Sequence, residues 1–510
     1  MRVVLSVVLF LIANVWLCQA NLNRPGWYLK WRLDQQKHEL GMQTFEQVDA
    51  KYGPFYFDQP IDHTDPSAGT FKHRYWANTD WYQPGGPVIL YNAGELPADW
   101  RAGYVTNSSM AMLAEELNGI VIVMEHRCYG ESMVAEDYSA ENLRTLNTDQ
   151  ALEDMATIIR EIKLPNLDVD LPPAPETKWI VYGGSYSGNL AAWMRYRYPD
   201  IVFAAVPSSA PVEMRYNFHQ YFETIRRYAP KHCVSSIQQV VRYVDHILFS
   251  PFSESKQRMK ETFGLQDLQH DDDFAETLSF PLGLWQEMTP TENPFVDEFC
   301  TIFEGKDSLH ERVEAYGSYI ANLVNTTCKD APSINACLDT HDPRSEMYMD
   351  TKAPFRAWFW QICTEYAYWQ TAKPFWHPTM VSRKLTTEWY QRQCPFLFGE
   401  HNVPFRPEWR RINKEYEGWH LRLSRTIWLD GEWDPWRTLS VNSDEAPDRT
   451  HWHDNAHFQV LSESVHHWDF FTTNSTSDEI KELHQFMVSK LKEWLNESKD
   501  SSQMIMKYQQ

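Results

Sequence analysis

Short apolar runs alternate with helical patterns from about Gly53 to Pro211. The runs "PVILYNAGE", "GIVIVMEHR" and "KWIVYGGS" are rich in β-branched residues and are bounded by turn residues, which is typical of strands. Between the second and third runs, "TDQALEDMATIIREI" repeats its apolar residues at helical spacing. This alternation of strands and helices predicts a parallel sheet with crossover helices.

The pattern changes twice further along the chain. From about Val212 to Arg410 the strand signals fade, and helical stretches such as "SSIQQVVRYVDHIL" alternate with polar loops. After about Asn413 the strand signals return in "RTIWLDG" and "HFQVLSES", and an amphipathic helix closes the chain. We therefore expect an α/β core formed by residues 21–211 and 411–510, interrupted by a mostly helical cap at residues 212–410.

The first twenty residues carry an early arginine, an apolar run and small residues ending at Ala20, which indicates a secretory signal peptide. The alternative is an N-terminal membrane anchor, but the run is shorter than the roughly 20 residues that a span needs. The net charge of −22 argues against nucleic acid or an anionic membrane as a partner. We expect a secreted protein, with a lysosomal or vacuolar location as the alternative. Four glycosylation sequons agree with export: Asn107, Asn325, Asn474 and Asn496.

Seven cysteines remain after the signal peptide. They lack the clustered C-x-x-C spacing of zinc sites, so disulfides are favoured in an oxidising compartment. The odd number leaves at least one thiol free, and the spacing alone does not determine which cysteines pair. We expect no metal and no cofactor.

The stretch "YGGSYSGNLAAW" places Ser185 between an apolar strand and the start of a helix. A nucleophilic serine occupies such a turn in α/β hydrolases, where the backbone N–H of the next residue, here Tyr186, helps to bind the oxyanion. The strict G-x-S-x-G pattern fails, because Ser187 stands where its second glycine belongs and Gly188 follows. A structural glycine turn is therefore the alternative.

A nucleophilic serine needs a base and a group that orients the base, and in this fold they follow in the order serine, acid, histidine. Two aspartates, Asp430 and Asp434, follow the predicted strand "RTIWL", and two histidines, His466 and His467, follow "HFQVLSES". Their positions predict a triad with Ser185. The pattern alone does not choose within either pair.

Two other groups of polar residues have structural interpretations that we favour. "EHRCYGES" could supply a second acid–base pair, but a charge-paired structural turn is the better interpretation. "HWHDNAH" could suggest a metal site, but a polar surface loop is favoured.

Motifs throughout the chain resemble the prolyl-carboxypeptidase family of serine peptidases, among them "GGPVILYNAGE", "VIVMEHRCYGES", "GGSYSGNLAAW", "VPSSAPV", "CTEYAYWQ" and "DGEWDPWRTLSV". The resemblance implies an α/β-hydrolase core with a helical cap. It also implies that the nucleophile is Ser185, that the acid is Asp434, which directly precedes Pro-Trp, and that the base is His466.

The resemblance further implies a subsite for the proline ring with Trp436 in its wall, and a loop from Asn92 to Glu95 beside the oxyanion hole. Asn189 stands where better-known members have a methionine that contacts the ring, so we expect a less apolar subsite. The disulfides that it implies are Cys363–Cys394, Cys328–Cys337 and Cys233–Cys300, and Cys128 is the candidate free thiol.

The activity implied is hydrolysis of peptide bonds on the carboxyl side of proline, in carboxypeptidase or endopeptidase mode. The expected partners are proline-containing peptides, with no nucleic acid and no membrane, and the expected state is a monomer or homodimer. The alternatives are a carboxylesterase or lipase of the same fold and a catalytically inactive binding protein.

Overall fold

The computed structural model describes residues 48–508 except 330, 450–454 and 473–475. The predicted signal peptide, the sequon at Asn474 and most of the "HWHDNAH" segment lie outside these residues. The described chain divides into two compact units. The first comprises residues 48–213 and 410–508, and the second comprises residues 214–409.

A mixed sheet is the centre of the first unit. Among the described residues it has eight strands in the order β1-β2-β4-β3-β5-β6-β9-β10. The pairings β1–β2 and β2–β4 are antiparallel, and the other five are parallel. The strands are β1 Phe55–Pro60, β2 Thr70–Asn78, β3 Val88–Asn92, β4 Ile120–Met124, β5 Trp179–Gly184, β6 Val202–Ser208, β9 Thr426–Gly431 and β10 Ala456–Leu461; β7 Arg215–Asn217 and β8 Ala367–Trp369 belong to the second unit.

Every residue of β3, β4, β5, β6 and β9 is buried, because crossover connections of a parallel sheet place helices over its faces. The predicted strands and the predicted crossover helix are confirmed. The α-helices are α1 Ser109–Glu116, α2 Thr148–Glu161, α3 Tyr186–Arg197, α4 Gln220–Tyr228, α5 Lys231–Leu248, α6 Ser253–Thr262, α7 Asp271–Thr277, α8 Leu309–Thr327, α9 Ile334–Leu338, α10 Glu346–Met349, α11 Phe355–Gln361, α12 Thr387–Gln391, α13 Gln393–Phe398, α14 Trp409–Glu415 and α15 Asp478–Tyr508.

Capping side chains explain where two helices of the first unit begin. Ser108 accepts a hydrogen bond from the backbone N–H of Ala111 at the start of α1, and Asn147 accepts one from that of Gln150 at the start of α2. Each satisfies a backbone donor that the helix itself leaves unpaired. Helix α1 packs on a core that includes Ile89, Val121 and Ile180 of the sheet. The fold is an α/β-hydrolase core with a mostly helical insertion.

The second unit is mostly helical, and its strands β7 and β8 form a short parallel pair. Three disulfides lie in it, Cys233–Cys300, Cys328–Cys337 and Cys363–Cys394, which are the pairs implied by the family resemblance. Cys128 of the first unit is free and buried, and burial raises the pKa of its thiol to about 12. It is therefore protonated and poorly nucleophilic at physiological pH. No helix within the described residues has the length and apolar character needed to span a bilayer.

Candidate active site

Ser185 lies at the turn between the end of β5 and the start of α3. Its backbone has φ 58° and ψ −128°, a conformation that a non-glycine residue rarely adopts. The turn is held by a hydrogen bond of 2.9 Å from the N–H of Ser185 to the carbonyl oxygen of Ser208 in β6. A strained strand-to-helix turn of this kind exposes a nucleophile at the end of the sheet in α/β hydrolases.

The packing around this turn explains why the second glycine is displaced by one position. A Cβ on Gly183 would lie 2.0 Å from the carbonyl oxygen of Ser187, and a Cβ on Gly188 would lie 2.8 Å from that of Ser208. Both positions therefore require glycine. Ser187 has room for its side chain, and its hydroxyl donates a hydrogen bond of 2.5 Å to the carbonyl oxygen of Asn92 at the end of β3.

Asp434 and His466 form a buried pair on the loops that follow β9 and β10. One carboxylate oxygen of Asp434 accepts a hydrogen bond of 2.7 Å from Nδ1 of His466, and the other accepts one of 2.9 Å from the backbone N–H of Trp436. Because a carboxylate only accepts, Nδ1 carries a proton, and in the neutral imidazole Nε2 is then the acceptor. Nε2 is buried and has no hydrogen-bond partner among the described residues, so the hydroxyl of Ser185 is not bonded to it here.

Asp430, the other aspartate that the sequence pattern left open, has different partners. Its Oδ2 accepts hydrogen bonds from Ser440 Oγ at 2.8 Å and from Asn442 Nδ2 at 2.9 Å. Burial, and then the negative charge of Asp434, raise the pKa of Asp430 well above its ordinary value. Its carboxyl group does not orient His466.

His467, the other histidine of the pair, is also buried. Its ring lies between those of His466 and Phe470, tilted to the first and stacked on the second, with centroid distances of 3.8 and 5.2 Å. Neither ring nitrogen has a hydrogen-bond partner in the described part of the chain, and burial lowers the pKa of His467 well below its ordinary value. Its Nε2 would lie only 3.0 Å from a Cβ on Gly184, so this ring packs directly on the residue before Ser185. No pattern in the sequence predicts this packing.

The loop after β3 lies against the serine turn. Gly94 has φ 69° and donates its N–H to Asn92 Oδ1 at 2.9 Å, and a Cβ on it would contact that of Ser187 at 3.6 Å. Glu95, which follows, is buried. Burial raises the pKa of its carboxyl to about 7, although the positive charge of Arg101 opposes the shift.

The two residues implied to line a proline subsite both lie near the site in the first unit. The ring centroid of Trp436 is 6.5 Å from that of His466. Asn189, in the first turn of α3, is buried and donates a hydrogen bond of 3.2 Å from Nδ2 to the carbonyl oxygen of Pro211.

Tyr186 is the first residue of α3, so its backbone N–H lies at the helix N-terminus directly after Ser185. Its hydroxyl and Nε2 of His126 lie 3.0 Å apart and are hydrogen-bonded. Burial lowers the pKa of His126 to about 4. This neutral histidine therefore contacts the side chain of Tyr186 and has no role as a base at Ser185.

The charged residues beside His126 form a structural turn, which confirms the interpretation favoured from the sequence. Glu125 accepts hydrogen bonds from Arg74 at 2.7 Å and from the hydroxyl of Ser132 at 2.8 Å. Arg127 donates to both carboxylate oxygens of Asp154 at 2.6 Å. Each buried charge thus has a partner, as buried charges require.

Three of the four glycosylation sequons lie within the described residues, and their asparagines are exposed: Asn107, Asn325 and Asn496. The first precedes α1, the second lies near the end of α8 and the third lies in α15.

A serine at a strained strand-to-helix turn, with a buried Asp–His pair on later loops of the same sheet, is typical of serine hydrolases. A family model described as Serine carboxypeptidase S28 matches residues 59–485. The chain belongs to this family of serine peptidases.

Known relatives agree with this family. Serine protease vicPa of Bipolaris victoriae is 32% identical over 470 residues, covering 86% of this chain and 88% of that protein. A "Probable extracellular serine carboxypeptidase" of Arthroderma benhamiae is 30% identical and covers 91% of this chain and 71% of its own. The lysosomal Pro-X carboxypeptidase of Homo sapiens is 25% identical, with 89% and 90% covered.

Proposed function

We propose that this serine peptidase is secreted and hydrolyses peptide bonds on the carboxyl side of proline through Ser185, His466 and Asp434. The observation that carries the proposal is the buried hydrogen bond of 2.7 Å between Asp434 and His466, on loops of the same sheet as the strained turn at Ser185. A nucleophile, a base and a group that orients the base are the parts that acyl transfer requires.

In the proposed reaction the hydroxyl oxygen of Ser185 attacks the carbonyl carbon of the scissile bond. His466 Nε2 takes the hydroxyl proton and then passes it to the leaving amine, so that an acyl-enzyme remains. Water then attacks the acyl-enzyme and gives a proton to His466 Nε2, and the carboxylic acid product leaves. Ser185 regains its proton from the same nitrogen. Asp434 keeps the proton on Nδ1 throughout and stabilises the imidazolium that forms.

The negative charge that develops on the carbonyl oxygen needs donors aimed at it. The backbone N–H of Tyr186 is one such donor, because it lies at the helix N-terminus next to Ser185. We assign the second donor to the loop from Asn92 to Glu95, which packs against the same turn.

Specificity for proline is supported by the name of the human relative and by Trp436, whose ring lies beside His466. A rigid apolar wall suits the flat pyrrolidine ring. The family resemblance places Asn189 in the same subsite, and its side chain is polar, so we propose a subsite that is less strict for proline than a fully apolar one.

Export is supported by the predicted signal peptide, by three exposed sequon asparagines and by three disulfides, since disulfides persist in oxidising compartments. Relatives include proteins named extracellular and lysosomal. We propose that the sequons carry glycans.

The test compares Ser185→Ala with wild type on a chromogenic peptide whose scissile bond follows proline. The control is Ser67→Ala, which changes an exposed serine. Loss of turnover in Ser185→Ala alone supports the nucleophile, and unchanged turnover overturns it. Replacing proline by alanine in the peptide tests specificity. Mass spectrometry of products from a long proline-containing peptide separates single residues released from the end, a carboxypeptidase, from internal cuts, an endopeptidase.

A further inference from the structure

We propose that Asp469 is a positioning residue, which holds the loop carrying His466 in register with the strands that carry Ser185. This inference rests on the proposed function of the site and adds a residue that touches no reacting atom. Asp469 lies three residues after His466, in a short 3-10 helix from Trp468 to Phe470.

The carboxylate of Asp469 is buried and connects two neighbouring strands. Oδ2 accepts a hydrogen bond of 2.5 Å from the hydroxyl of Tyr182 in β5, and Oδ1 accepts one of 2.6 Å from the hydroxyl of Ser208 at the end of β6. Its backbone oxygen accepts a third, of 2.8 Å, from Nε2 of His484 in α15. The loop is thus fixed to β5, β6 and α15 through one residue.

The two residues that donate to the carboxylate of Asp469 also support the serine turn. Tyr182 lies in β5, three residues before Ser185, and the carbonyl oxygen of Ser208 accepts the N–H of Ser185 at 2.9 Å. Ser209, the next residue, accepts the N–H of His467 on its hydroxyl at 3.2 Å. Ser208 and Ser209 therefore contact both the turn that carries the nucleophile and the loop that carries the base.

The same pair of serines reaches the strand that leads to the third member of the site. The N–H of Ser209 donates a hydrogen bond of 2.7 Å to the carbonyl oxygen of Leu429 in β9, whose following loop carries Asp434. The segment "SS" of the motif "VPSSAPV" is therefore where the supports of Ser185, His466 and Asp434 meet.

The strength of these contacts makes them suited to positioning. Hydrogen bonds to a buried carboxylate are shorter and stronger than neutral ones, and their geometry is specific. Misplacing a catalytic group by about 1 Å can cost about a hundredfold in rate. The loop enters the 3-10 helix through His467, whose backbone is left-handed with φ 59°.

The test measures kcat per active site on the chromogenic proline peptide. Active sites are counted by stoichiometric labelling with an organophosphonate. The variants are Asp469→Asn, Tyr182→Phe and Ser208→Ala, in the full-length protein. The control is Tyr75→Phe, which removes a buried hydroxyl from β2, a strand separated from β5 by β4 and β3. Counting sites matters, because a purely structural residue lowers the number of labelled sites but leaves the turnover of each site unchanged.

We expect Asp469→Asn to lower kcat per labelled site about tenfold or more, with KM within about twofold of wild type. Tyr182→Phe and Ser208→Ala each remove one of the two hydroxyl donors to the carboxylate of Asp469. Each should lower kcat per labelled site about threefold or more, and Tyr75→Phe should lower it by less than twofold. Should Asp469→Asn fail to fold, the two hydroxyl variants decide.

If kcat per labelled site stays within twofold of wild type in all folded variants, the positioning role is overturned. If Ser185→Ala also keeps its turnover, the proposed function itself fails. If Ser185→Ala is inactive while the Asp469 variant keeps its turnover per site, only the positioning role fails.

Discussion

Asp434 and His466 are joined by a buried hydrogen bond of 2.7 Å, whereas Asp430, four residues earlier, bonds to Ser440 and Asn442. Asp430 lies near the end of β9 and Asp434 on the loop that follows it, but only Asp434 accepts a hydrogen bond from the histidine and can fix its tautomer. This relationship distinguishes the proposed acid from its neighbour and leads to the first prediction.

Asp434→Asn should lower kcat by about 10³- to 10⁴-fold with little change in KM. An asparagine amide can donate to Nδ1, which favours the tautomer with its proton on Nε2, and that nitrogen then cannot accept the proton of Ser185. The measurement is steady-state kinetics on the proline peptide at pH 5. Asp430→Asn is the matched control and should stay within about threefold of wild type. Equal losses in both variants would contradict the assignment.

The sequence predicted much of the core because β-branched runs and helical spacing are local signals. The order of serine, acid and histidine in this fold, together with the strand ends, predicted two candidate acids and two candidate bases. Local patterns could not decide between Asp434 and Asp430, or between His466 and His467, because the members of each pair are at most four residues apart and only tertiary packing separates them. The family resemblance rests on longer motifs, and it supplied that choice.

The contacts of Asp469 were beyond sequence reasoning for a different reason. Its partners Tyr182 and Ser208 are 287 and 261 residues away along the chain. Hydroxyl residues on buried strands do not recur at a spacing that would mark them in the sequence. An aspartate shortly after two histidines looks like any other acidic residue in a loop. The displaced glycine at the serine turn likewise depends on distances between backbone atoms that no motif expresses.

Asp430 should make the protein less stable as the pH rises. Its pKa is raised above the ordinary value in the folded state, so the folded protein keeps a proton over a pH range in which the unfolded chain has lost it. This carboxyl therefore costs nothing below the ordinary pKa of aspartate, and its cost grows as the pH rises above that value. Asp430→Asn should gain stability relative to wild type between pH 4 and pH 7.

Thermal unfolding of both proteins across that range measures the effect. The difference in Tm should be smallest at pH 4 and should increase with pH. A difference that does not depend on pH would show that Asp430 is ionised in the folded protein, as it is in the unfolded chain.

Glu95 should set a step in activity near pH 7. Burial raises the pKa of its carboxyl to about 7, so the group is neutral below that pH and negative above it. Its loop packs against the serine turn, where negative charge also develops on the substrate oxygen in the proposed reaction. Two negative charges in one water-poor region repel, and ionised Glu95 should therefore slow the reaction.

The ratio of kcat/KM of wild type to that of Glu95→Gln isolates this step, because groups common to both proteins cancel. We expect the ratio to fall about three- to tenfold between pH 6 and pH 8. A constant ratio would remove Glu95 from the pH dependence. Glu131→Gln, which changes an exposed carboxyl group, is the control.

The serine turn should tolerate a glycine at position 187 but no side chain at position 188. Ser187→Gly restores the strict G-x-S-x-G pattern, yet it removes the hydrogen bond to Asn92, so we expect a loss of about 1 kcal/mol. Gly188→Ala places a Cβ 2.8 Å from the carbonyl oxygen of Ser208, the same oxygen that accepts the N–H of Ser185.

Relieving that contact must move the backbone of β6 or of α3, at a cost of about 1–3 kcal/mol, and it displaces Ser185 as well. Tm and organophosphonate labelling should therefore both fall further in Gly188→Ala than in Ser187→Gly. The reverse order would mean that the motif, rather than the packing around it, determines which position must be glycine. The measured order thus decides whether Ser187 is a defect in the pattern or a residue that the turn uses.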